Sequence, residues 1–260
     1  MGGTILRSAR APDFHQPPAQ AQAMEQLSRA QIDALVVIGG NGSQQGAQAV
    51  AERGFPVVGL ASTIDNDLWG VERSLGVDSA LNVALEAVDR IRVTASSHSR
   101  VFLVEVMGRD CGFLALSCGI AGGAEAIAIP ETDPEPEDLL AELCEAYDRK
   151  GYAIGVVAEG WREGAGSLAR AFAGEGAQDL PKVRVSVLGH VQRGATPSHG
   201  DRVLGSQLGA AAVACLAHGE HGLLLGLHQG RLRAQPLDQV AGRRKDLDPD
   251  LLLLARMLRD

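Results

Sequence analysis

The hydrophobic residues of this chain form two patterns, which are short continuous runs and longer segments with a helical repeat. Continuous runs rich in Val, Ile, Leu and Ala predict strands that are buried on both faces of a parallel sheet. These runs are Ile32–Ile38, Pro56–Ala61, Val101–Val106, Glu125–Ile129, Ala153–Ala158, Arg184–Leu188 and Leu223–Leu227.

Helices are predicted between these runs, where apolar residues recur every three or four positions. We expect the polar residues 94–100 to be a link, and the Gly- and Ala-rich residues 164–176 to be irregular. The segment from Asp201 to His218 is apolar enough to predict a well-buried helix. The predicted helices are Ala21–Ala30, Gln44–Arg53, Ser79–Arg92, Cys111–Ala121, Glu137–Lys150, Asp201–His218 and a short terminal helix from Leu251.

The alternation of strands and helices predicts an α/β fold with mainly parallel sheets. A chain of 260 residues can form one large domain or two modest ones. Two βαβ blocks follow one another along the sequence, which indicates a duplicated architecture.

The composition changes this picture by excluding some classes of function. The net charge of −8 argues against a general nucleic-acid binder, because phosphate backbones require a basic surface. We expect no membrane partner, since the apolar segments are too short to span a bilayer. The four cysteines have no CxxC spacing and predict reduced thiols, and with no apparent leader peptide they favour a cytoplasmic protein.

The candidate chemistry follows the predicted strands. Thr63-Ile64-Asp65-Asn66-Asp67 comes directly after one buried strand. Asp and Asn are common turn formers, so this stretch could be a plain turn. Alternatively, one carboxylate could accept a proton from an attacking hydroxyl while the other holds a cation or the turn.

Other polar groups follow other strands. The turn from Gly39 to Ser43 precedes a helix and could bind phosphate through backbone N–H groups, or could be an ordinary strand-to-helix turn. His190 and Arg193 lie in a glycine-bracketed segment and could face a ligand, although an isolated histidine is more often a simple hydrogen-bonding residue. Because parallel strands end at one edge of a sheet, all these groups could form one site.

Five motifs in this order resemble those of the bacterial 6-phosphofructokinases. The resemblance extends from Gly2 to the C-terminal helix, and it implies the phosphofructokinase fold, with two Rossmann-like three-layer α/β lobes. The motifs are Gly2-Gly3-Thr4 through Ser8-Ala9-Arg10, Gly39-Gly40-Asn41-Gly42-Ser43, Thr63–Asp67, Val106–Arg109 and Gly189–Gly194.

The resemblance implies that the γ-phosphoryl group of ATP is transferred to the 1-hydroxyl of fructose 6-phosphate, with Mg²⁺. It implies a nucleotide-binding lobe (residues 1–76 and 192–242) and a sugar-phosphate-binding lobe (77–191 and 243–260). Asp65 resembles the base, with Thr63 beside it, and Arg109 and Arg10 resemble cations that stabilise the transferring group. The implied nucleotide-binding residues are Arg10, Gly40, Asn41, Gly42 and Ser43, and the implied sugar-binding residues are Thr63, Asp67, Met107, Gly108, Arg109, Glu159, His190 and Arg193.

The resemblance also implies a homotetramer with shared active sites. Arg100 and Arg184 resemble arginines that reach the sugar 6-phosphate from a neighbouring subunit. Arg92, Glu125 and Lys150 fall where the family binds an effector.

Two departures from the family bear on activity. Asn41 stands where the family has an Asp metal ligand, and a neutral amide should hold Mg²⁺ less well. We therefore expect Asn41 to lower turnover and Asn41→Asp to raise it. The family also has a strand, a Gly-rich turn and a helix before the position of Met1, so we expect a fragment or mis-started copy, with a truncated paralogue as the alternative.

Competing functions remain open at this point. A non-catalytic paralogue could bind sugar phosphate or nucleotide without turnover, and kinases of NAD or diacylglycerol share a similar nucleotide turn. Gly42 and Ser62 favour ATP over pyrophosphate as the donor, because pyrophosphate-using relatives carry Asp and Lys at these positions.

Overall fold

The computed structural model describes residues 3–9, 11–162, 164–173 and 181–258. The chain forms two compact units. The first unit takes the residues up to Asp78 together with Pro197–Asp246. The second takes Ser79–Thr196 and the residues from Leu247 onwards.

The regular elements alternate along most of the chain. Among the described residues, Pro12–His15 and Gly189–Gly194 form short 3₁₀ helices. The strands are β1 (Leu35–Gly39), β2 (Val57–Ala61), β3 (Val101–Val106), β4 (Ala126–Ala128), β5 (Ala153–Ala158), β6 (Val183–Val187), β7 (Leu223–His228) and β8 (Arg231–Pro236). The helices are α1 (Pro17–Arg29), α2 (Asn41–Ala51), α3 (Val77–His98), α4 (Phe113–Ala121), α5 (Pro136–Lys150), α6 (Ala165–Phe172), α7 (His199–Ala217), α8 (Leu237–Val240) and α9 (Pro249–Met257).

The sheet of the first unit has the order β1-β2-β7-β8. Strands β1, β2 and β7 are parallel, and β8 pairs with β7 in the antiparallel sense. Alternate residues of β2 face opposite layers, with Val57 packing towards α2 and α8, and Val58 towards α7. The result is a three-layer α/β unit in which the whole of β2 is buried.

The sheet of the second unit has the order β4-β5-β3-β6, and all its strands are parallel. Helices α5 and α6 cover one face through a core that includes Leu143, Leu168 and Trp161. Helix α4 covers the other face so closely that a Cβ atom at Gly119 would lie 2.6 Å from Ile127. Every residue of β5 is buried, which places the strand end before Glu159 in the middle of the layer.

The structure confirms the predicted α/β class and all of the predicted strands, with ends shifted by at most three residues. The expected burial on both faces is wrong for β1 and β6, which lie at the ends of their sheets and leave Ile38 and Val187 exposed by 52% and 63%. Several details of the sequence interpretation are wrong. Residues 94–98 are not a link, because Ala95 continues the buried face of α3 and the helix reaches His98. The stretch 164–176 contains α6, and β8 was not predicted at all.

The helix predicted from Asp201 to His218 is α7, and it is less buried than its composition suggests. Only one stripe is buried, consisting of Asp201, Leu204, Leu208 and Ala212. All four cysteines are thiols, and burial, with a smaller contribution from Asp89, raises the pKa of Cys118 to about 12. Among the described residues, no helix combines the length and hydrophobicity that a bilayer crossing needs.

Candidate active site

The turn after β2 is held by the side chain of Asn66. This residue is 3% exposed and has a left-handed backbone with φ of 54°. Its Nδ2 donates to the carbonyl oxygen of Glu72 at 3.1 Å, and its Oδ1 accepts from the N–H of Ser74 at 3.0 Å. Ser74 Oγ also donates to the carbonyl oxygen of Thr63 at 2.6 Å. These bonds fix both ends of the turn from the inside.

Because Asn66 is directed inwards, the acidic residues on either side of it remain partly exposed. Asp65 and Asp67 are both of intermediate burial. The N–H of Asp65 donates to Thr63 Oγ1 at 3.2 Å, which forms a short side-chain-closed turn. The segment is therefore a turn, as its composition indicates, and it also presents two carboxylates at the carboxyl end of a buried strand.

The turn after β1 is packed against the turn after β2. A Cβ atom at Gly40 would lie 3.1 Å from Thr63 Cβ, and one at Gly39 would lie 2.3 Å from Ser43 Oγ. Helix α2 begins at Asn41, three residues earlier than predicted, and no side chain caps its first turn. The unpaired N–H groups of that turn can bind an anion, and the exposed residues Gly42 and Ser43 leave it accessible.

Asn41 links these two turns directly. Its Nδ2 donates to Asp67 Oδ2 at 2.8 Å. Asn41 Oδ1 is buried and has no hydrogen-bond partner among the described residues. The two residues thus form an amide–carboxylate pair at the carboxyl edge of the first sheet.

Behind these turns, the buried side chain of Gln44 ties the two strand ends together. Its Nε2 donates to the carbonyl oxygens of Gly39 at 3.0 Å and Leu60 at 3.1 Å. A Cβ atom at Gly59 would lie 2.1 Å from Gln44 Oε1, so only glycine fits beside this amide. Sequence reasoning did not identify Gln44, because its partners are backbone groups of two different strands.

In the second unit, the ends of β3 and β5 are locked together. Gly108 has φ of 132°, and a Cβ atom there would lie 2.3 Å from the carbonyl oxygen of Cys111. The N–H of Gly160 donates to the carbonyl oxygen of Gly108 at 3.1 Å, and a Cβ atom at Gly160 would collide with the backbone of Arg109. These contacts bring Arg109, which is exposed, and Glu159, which is partly exposed, to one edge of the sheet.

The 3₁₀ helix Gly189–Gly194 is attached to the same edge by Gln192. This side chain is 1% exposed, and its Oε1 accepts the N–H of Met107 at 2.7 Å. His190 and Arg193 lie on the exposed side of the segment. Met107, Gly108, Arg109, Glu159, His190 and Arg193 are thus gathered at the carboxyl edge of the second sheet. Gln192 was quoted within a motif but was not predicted as a site residue.

Arg100 and Arg184 lie away from this edge. Arg100 precedes β3, and Arg184 pairs in register with Phe102 near the start of that strand. The groups after Val106 are at the other end of β3, six residues or roughly 20 Å along the strand. Arg184 is exposed on β6, which is the edge strand of its sheet.

The three predicted effector residues cluster near the start of β4 and β5. Lys150 Nζ forms an ion pair with Glu125 Oε1, while Glu125 Oε2 accepts the N–H of Ile154 at 2.7 Å. Arg92 Nη2 donates to the carbonyl oxygen of Gly123 at 3.3 Å, two residues from Glu125. Arg10, which was predicted to be catalytic and to bind nucleotide, lies outside the described residues.

Comparisons with known proteins agree with the resemblance in the sequence. A family model described as phosphofructokinase matches residues 1–216. The chain is 48% identical to ATP-dependent 6-phosphofructokinase 1 of Thermus thermophilus over 99% of this chain and 80% of that protein. It is 46% identical to ATP-dependent 6-phosphofructokinase of Listeria welshimeri, with the same shares of the two chains covered.

Solved structures show the same fold. A pyrophosphate-dependent phosphofructokinase from Marinobacter aquaeolei superimposes with a TM-score of 0.82 at 22% identity, covering 98% of this chain and 74% of that chain. Phosphofructokinase from Saccharomyces cerevisiae superimposes with a TM-score of 0.77 at 28% identity, covering 92% of this chain and 36% of that chain.

We predict that Asn66→Ala destabilises the first unit by about 2–4 kcal/mol. The variant loses the side-chain hydrogen bonds, each with a net value of about 1 kcal/mol, and places a Cβ-bearing residue without local compensation in a left-handed conformation. Asn66→Gly is the matched control, because it loses the bonds but tolerates the backbone. Urea unfolding followed by the fluorescence of Trp69 and Trp161, one in each unit, measures the stability of both variants. An equal loss for the two variants would show that the backbone conformation contributes nothing.

We also predict that Gln192→Leu loosens the end of β3. The N–H of Met107 then lacks its acceptor in a buried position, which costs about 1–3 kcal/mol. Hydrogen exchange should become faster at the Met107 amide than in the rest of β3. Val191→Ala, at an exposed neighbouring position, should leave that exchange rate unchanged; unaltered exchange in Gln192→Leu would contradict the assignment.

Proposed function

Because the chain belongs to the phosphofructokinase family, we propose that it transfers the γ-phosphoryl group of ATP to the 1-hydroxyl of fructose 6-phosphate, a reaction of glycolysis. One structural observation carries the proposal most directly. The inward-facing Asn66 presents Asp65 and Asp67 at the end of a buried strand, beside the uncapped start of α2. The ATP-dependent relatives at 46–48% identity support the choice of reaction.

Asp65 is the proposed general base. Phosphoryl transfer needs little covalent chemistry from the protein, so positioning and charge stabilisation supply most of the acceleration. The Asp65 carboxylate takes the proton of the sugar 1-hydroxyl as that hydroxyl oxygen attacks the γ-phosphorus of ATP, and ADP leaves with the electron pair of the broken P–O bond. Thr63 Oγ1, bonded to the N–H of Asp65, fixes the backbone from which the carboxylate extends.

The first unit is the proposed nucleotide-binding unit. The N–H groups at the start of α2, together with Gly40, Gly42 and Ser43, can hold phosphate oxygens. A Cβ atom at Gly42 would meet nothing within 4 Å, so the approach to this turn is open. The open turn and Ser62, together with the ATP-dependent relatives, favour ATP over pyrophosphate as the donor.

The second unit is the proposed sugar-phosphate-binding unit. Arg109 stabilises negative charge on the transferring group, and Arg10 is assigned the same task by resemblance. Asp67 of the first unit is proposed to contact the sugar as well. In this proposal the sugar phosphate is also contacted by the other residues at the carboxyl edge of the second sheet, which are Met107, Gly108, Glu159, His190 and Arg193.

The residues of the first unit fit a magnesium ion that is held largely by phosphate groups. Magnesium in kinases is commonly bound by one or two carboxylates and by the phosphates of the nucleotide. Asp67, Asp65 and the unpartnered Oδ1 of Asn41 are the candidate oxygens here, and the described residues contain no group of three or more His, Cys, Asp or Glu that could hold a metal ion by itself. The ion would neutralise charge on the phosphates of ATP.

A homotetramer with shared active sites accounts for the two arginines that lie apart from the others. Arg100 and Arg184 are at the amino-terminal end of the sheet in their unit, whereas Arg109 and Glu159 are at the carboxyl edge. Arg184 is on an edge strand that also exposes Val185 and Val187, by 39% and 63%. We assign the two arginines to the 6-phosphate of the sugar in a neighbouring subunit, where guanidinium groups suit phosphate geometry.

Regulation at a separate position is part of the same proposal. Arg92, Glu125 and Lys150 lie close together in the second unit, away from the carboxyl edge of its sheet. The Glu125–Lys150 ion pair would have to open before Lys150 could bind an anionic effector. As an enzyme of glycolysis, the protein is assigned to the cytoplasm.

The Asn41–Asp67 hydrogen bond favours one alternative, a paralogue that binds the same ligands with little turnover. This bond occupies a carboxylate that the family resemblance assigns to sugar binding. Thermal stabilisation by fructose 6-phosphate without product formation would support the alternative.

We predict ATP-dependent formation of fructose 1,6-bisphosphate, with no more than trace activity when pyrophosphate replaces ATP. Asp65→Asn should lower kcat by about 10²–10⁴-fold, because it removes the general base while keeping the shape of the side chain. Asp33→Asn, at an exposed position outside the site, is the control and should retain activity. Activity with pyrophosphate alone would overturn the choice of donor, and full activity of Asp65→Asn would overturn the base.

We further predict that two inactive variants restore activity when they are produced together. In a mixed oligomer, an Arg184→Ala subunit keeps its own Asp65 and can receive Arg184 from an Asp65→Asn neighbour. If Arg184 acts within its own subunit, no intact site can form and the mixture stays inactive. Differently tagged copies allow the mixed oligomer to be purified, and light scattering compares its mass with the 27.2 kDa of one chain.

A further inference from the structure

The pair formed by Asn41 and Asp67 can be oriented from chemistry alone. An ionised carboxylate only accepts hydrogen bonds, so the atom of Asn41 that lies 2.8 Å from Asp67 Oδ2 must be the NH₂ group. The amide oxygen then has to point elsewhere. It is buried and has no donor among the described residues.

A buried acceptor without a donor is costly, by about 1–3 kcal/mol. Such an atom in a native protein usually marks a place that a water, an ion or a ligand completes. Asn41 is the first residue of α2, next to exposed Gly42 and Ser43 at the proposed phosphate-binding turn. Asn41 Oδ1, which lacks a hydrogen-bond donor, therefore lies where a bound nucleotide would place its phosphates and its cation.

The Asn41 amide also avoids a repulsion between two carboxylates at this position. If a carboxylate occupied position 41, two negative groups would lie about as close as the 2.8 Å of the present contact. Like charges at that distance repel strongly, and proteins relieve them with a shared proton or a bound cation. The NH₂ group of Asn41 instead gives Asp67 a hydrogen-bond donor that is built into the chain.

We propose that the Asn41 amide takes the place of a cation beside Asp67 in the protein without ligands, and that its Oδ1 becomes a ligand when the nucleotide delivers a cation. Asn41 is then a positioning residue that keeps Asp67 in place without metal. The role of Oδ1 rests on the proposed function, whereas the role of the NH₂ group does not. The catalytic turn is thus preformed, and magnesium alone has little to bind.

The test measures thermal unfolding without nucleotide, in a chelator and in about 10 mM MgCl₂, where any binding raises the melting temperature by mass action. The wild-type melting temperature should be unchanged by the metal. Asn41→Asp should melt about 2–5 °C lower in the chelator. Magnesium should restore most of that loss, because it screens the two carboxylates.

The matched control is the exchanged pair, Asn41→Asp with Asp67→Asn, which again places one amide beside one carboxylate. This double variant should recover metal-independent melting even if the swapped groups no longer support catalysis. If Asn41→Asp folds only when magnesium is present, the proposal is supported in its strongest form.

Three results would overturn the proposal. One is a wild-type protein that magnesium alone stabilises as much as it stabilises Asn41→Asp. Another is an Asn41→Asp variant that melts like the wild type in the chelator. The third is a double variant that still requires metal. None of these readings involves turnover, so failure here is distinguishable from failure of the proposed reaction.

Discussion

The orientation of Asn66 is the constraint on which the rest of the proposed chemistry depends. A residue between two aspartates could point its side chain outwards with them, but the left-handed backbone and the bonds to Glu72 and Ser74 hold it inside. Asparagine tolerates that conformation better than most residues. With Asn66 buried, its two acidic neighbours reach the carboxyl edge of the sheet, where an α/β fold places its ligands.

Strands buried on both faces could be predicted from the sequence with good accuracy. Ala153–Ala158 has the predicted ends because its apolar run stops where the burial stops, before Glu159. Val101–Val106 also has the predicted ends, although Met107 after it is still buried. The edge strand β8 was not predicted because most of its residues are exposed and its sequence is polar. Its residues Arg231, Arg233 and Gln235 are more typical of a loop than of a buried strand. Helix α6 escaped prediction because it is only eight residues long and lies in a Gly- and Ala-rich stretch that resembles a loop, although Ala165, Leu168 and Phe172 form a buried face.

The residues of the candidate site also fall into those that the sequence predicts and those that it does not. Residues that present groups to a ligand, such as Asp65 or Arg109, belong to motifs that can be recognised in one stretch of sequence. Residues that hold those groups in place could not be found, since their partners are distant in sequence. Gln192 bonds to a backbone group 85 positions away, and Gln44 joins the ends of two strands. A buried amide is identified by its partners, and those become visible only in the fold.

The interrupted path of the first unit has a consequence for how the chain folds. Strand β2 pairs with β7, joining Val58 to Leu223, and the N–H of Gly76 donates to the carboxylate of Asp201, 125 positions away. Such distant pairings require long loops to close before the contacts form, which slows folding. Most of the second unit lies in the continuous segment Ser79–Thr196, so during synthesis it can assemble while the apolar strand β2 is paired with β1 but still lacks β7 on its other side. The ribosome-bound chain therefore passes through a stage in which the future catalytic turn is attached to an incomplete sheet, and this stage is where chaperone binding or aggregation would compete with folding.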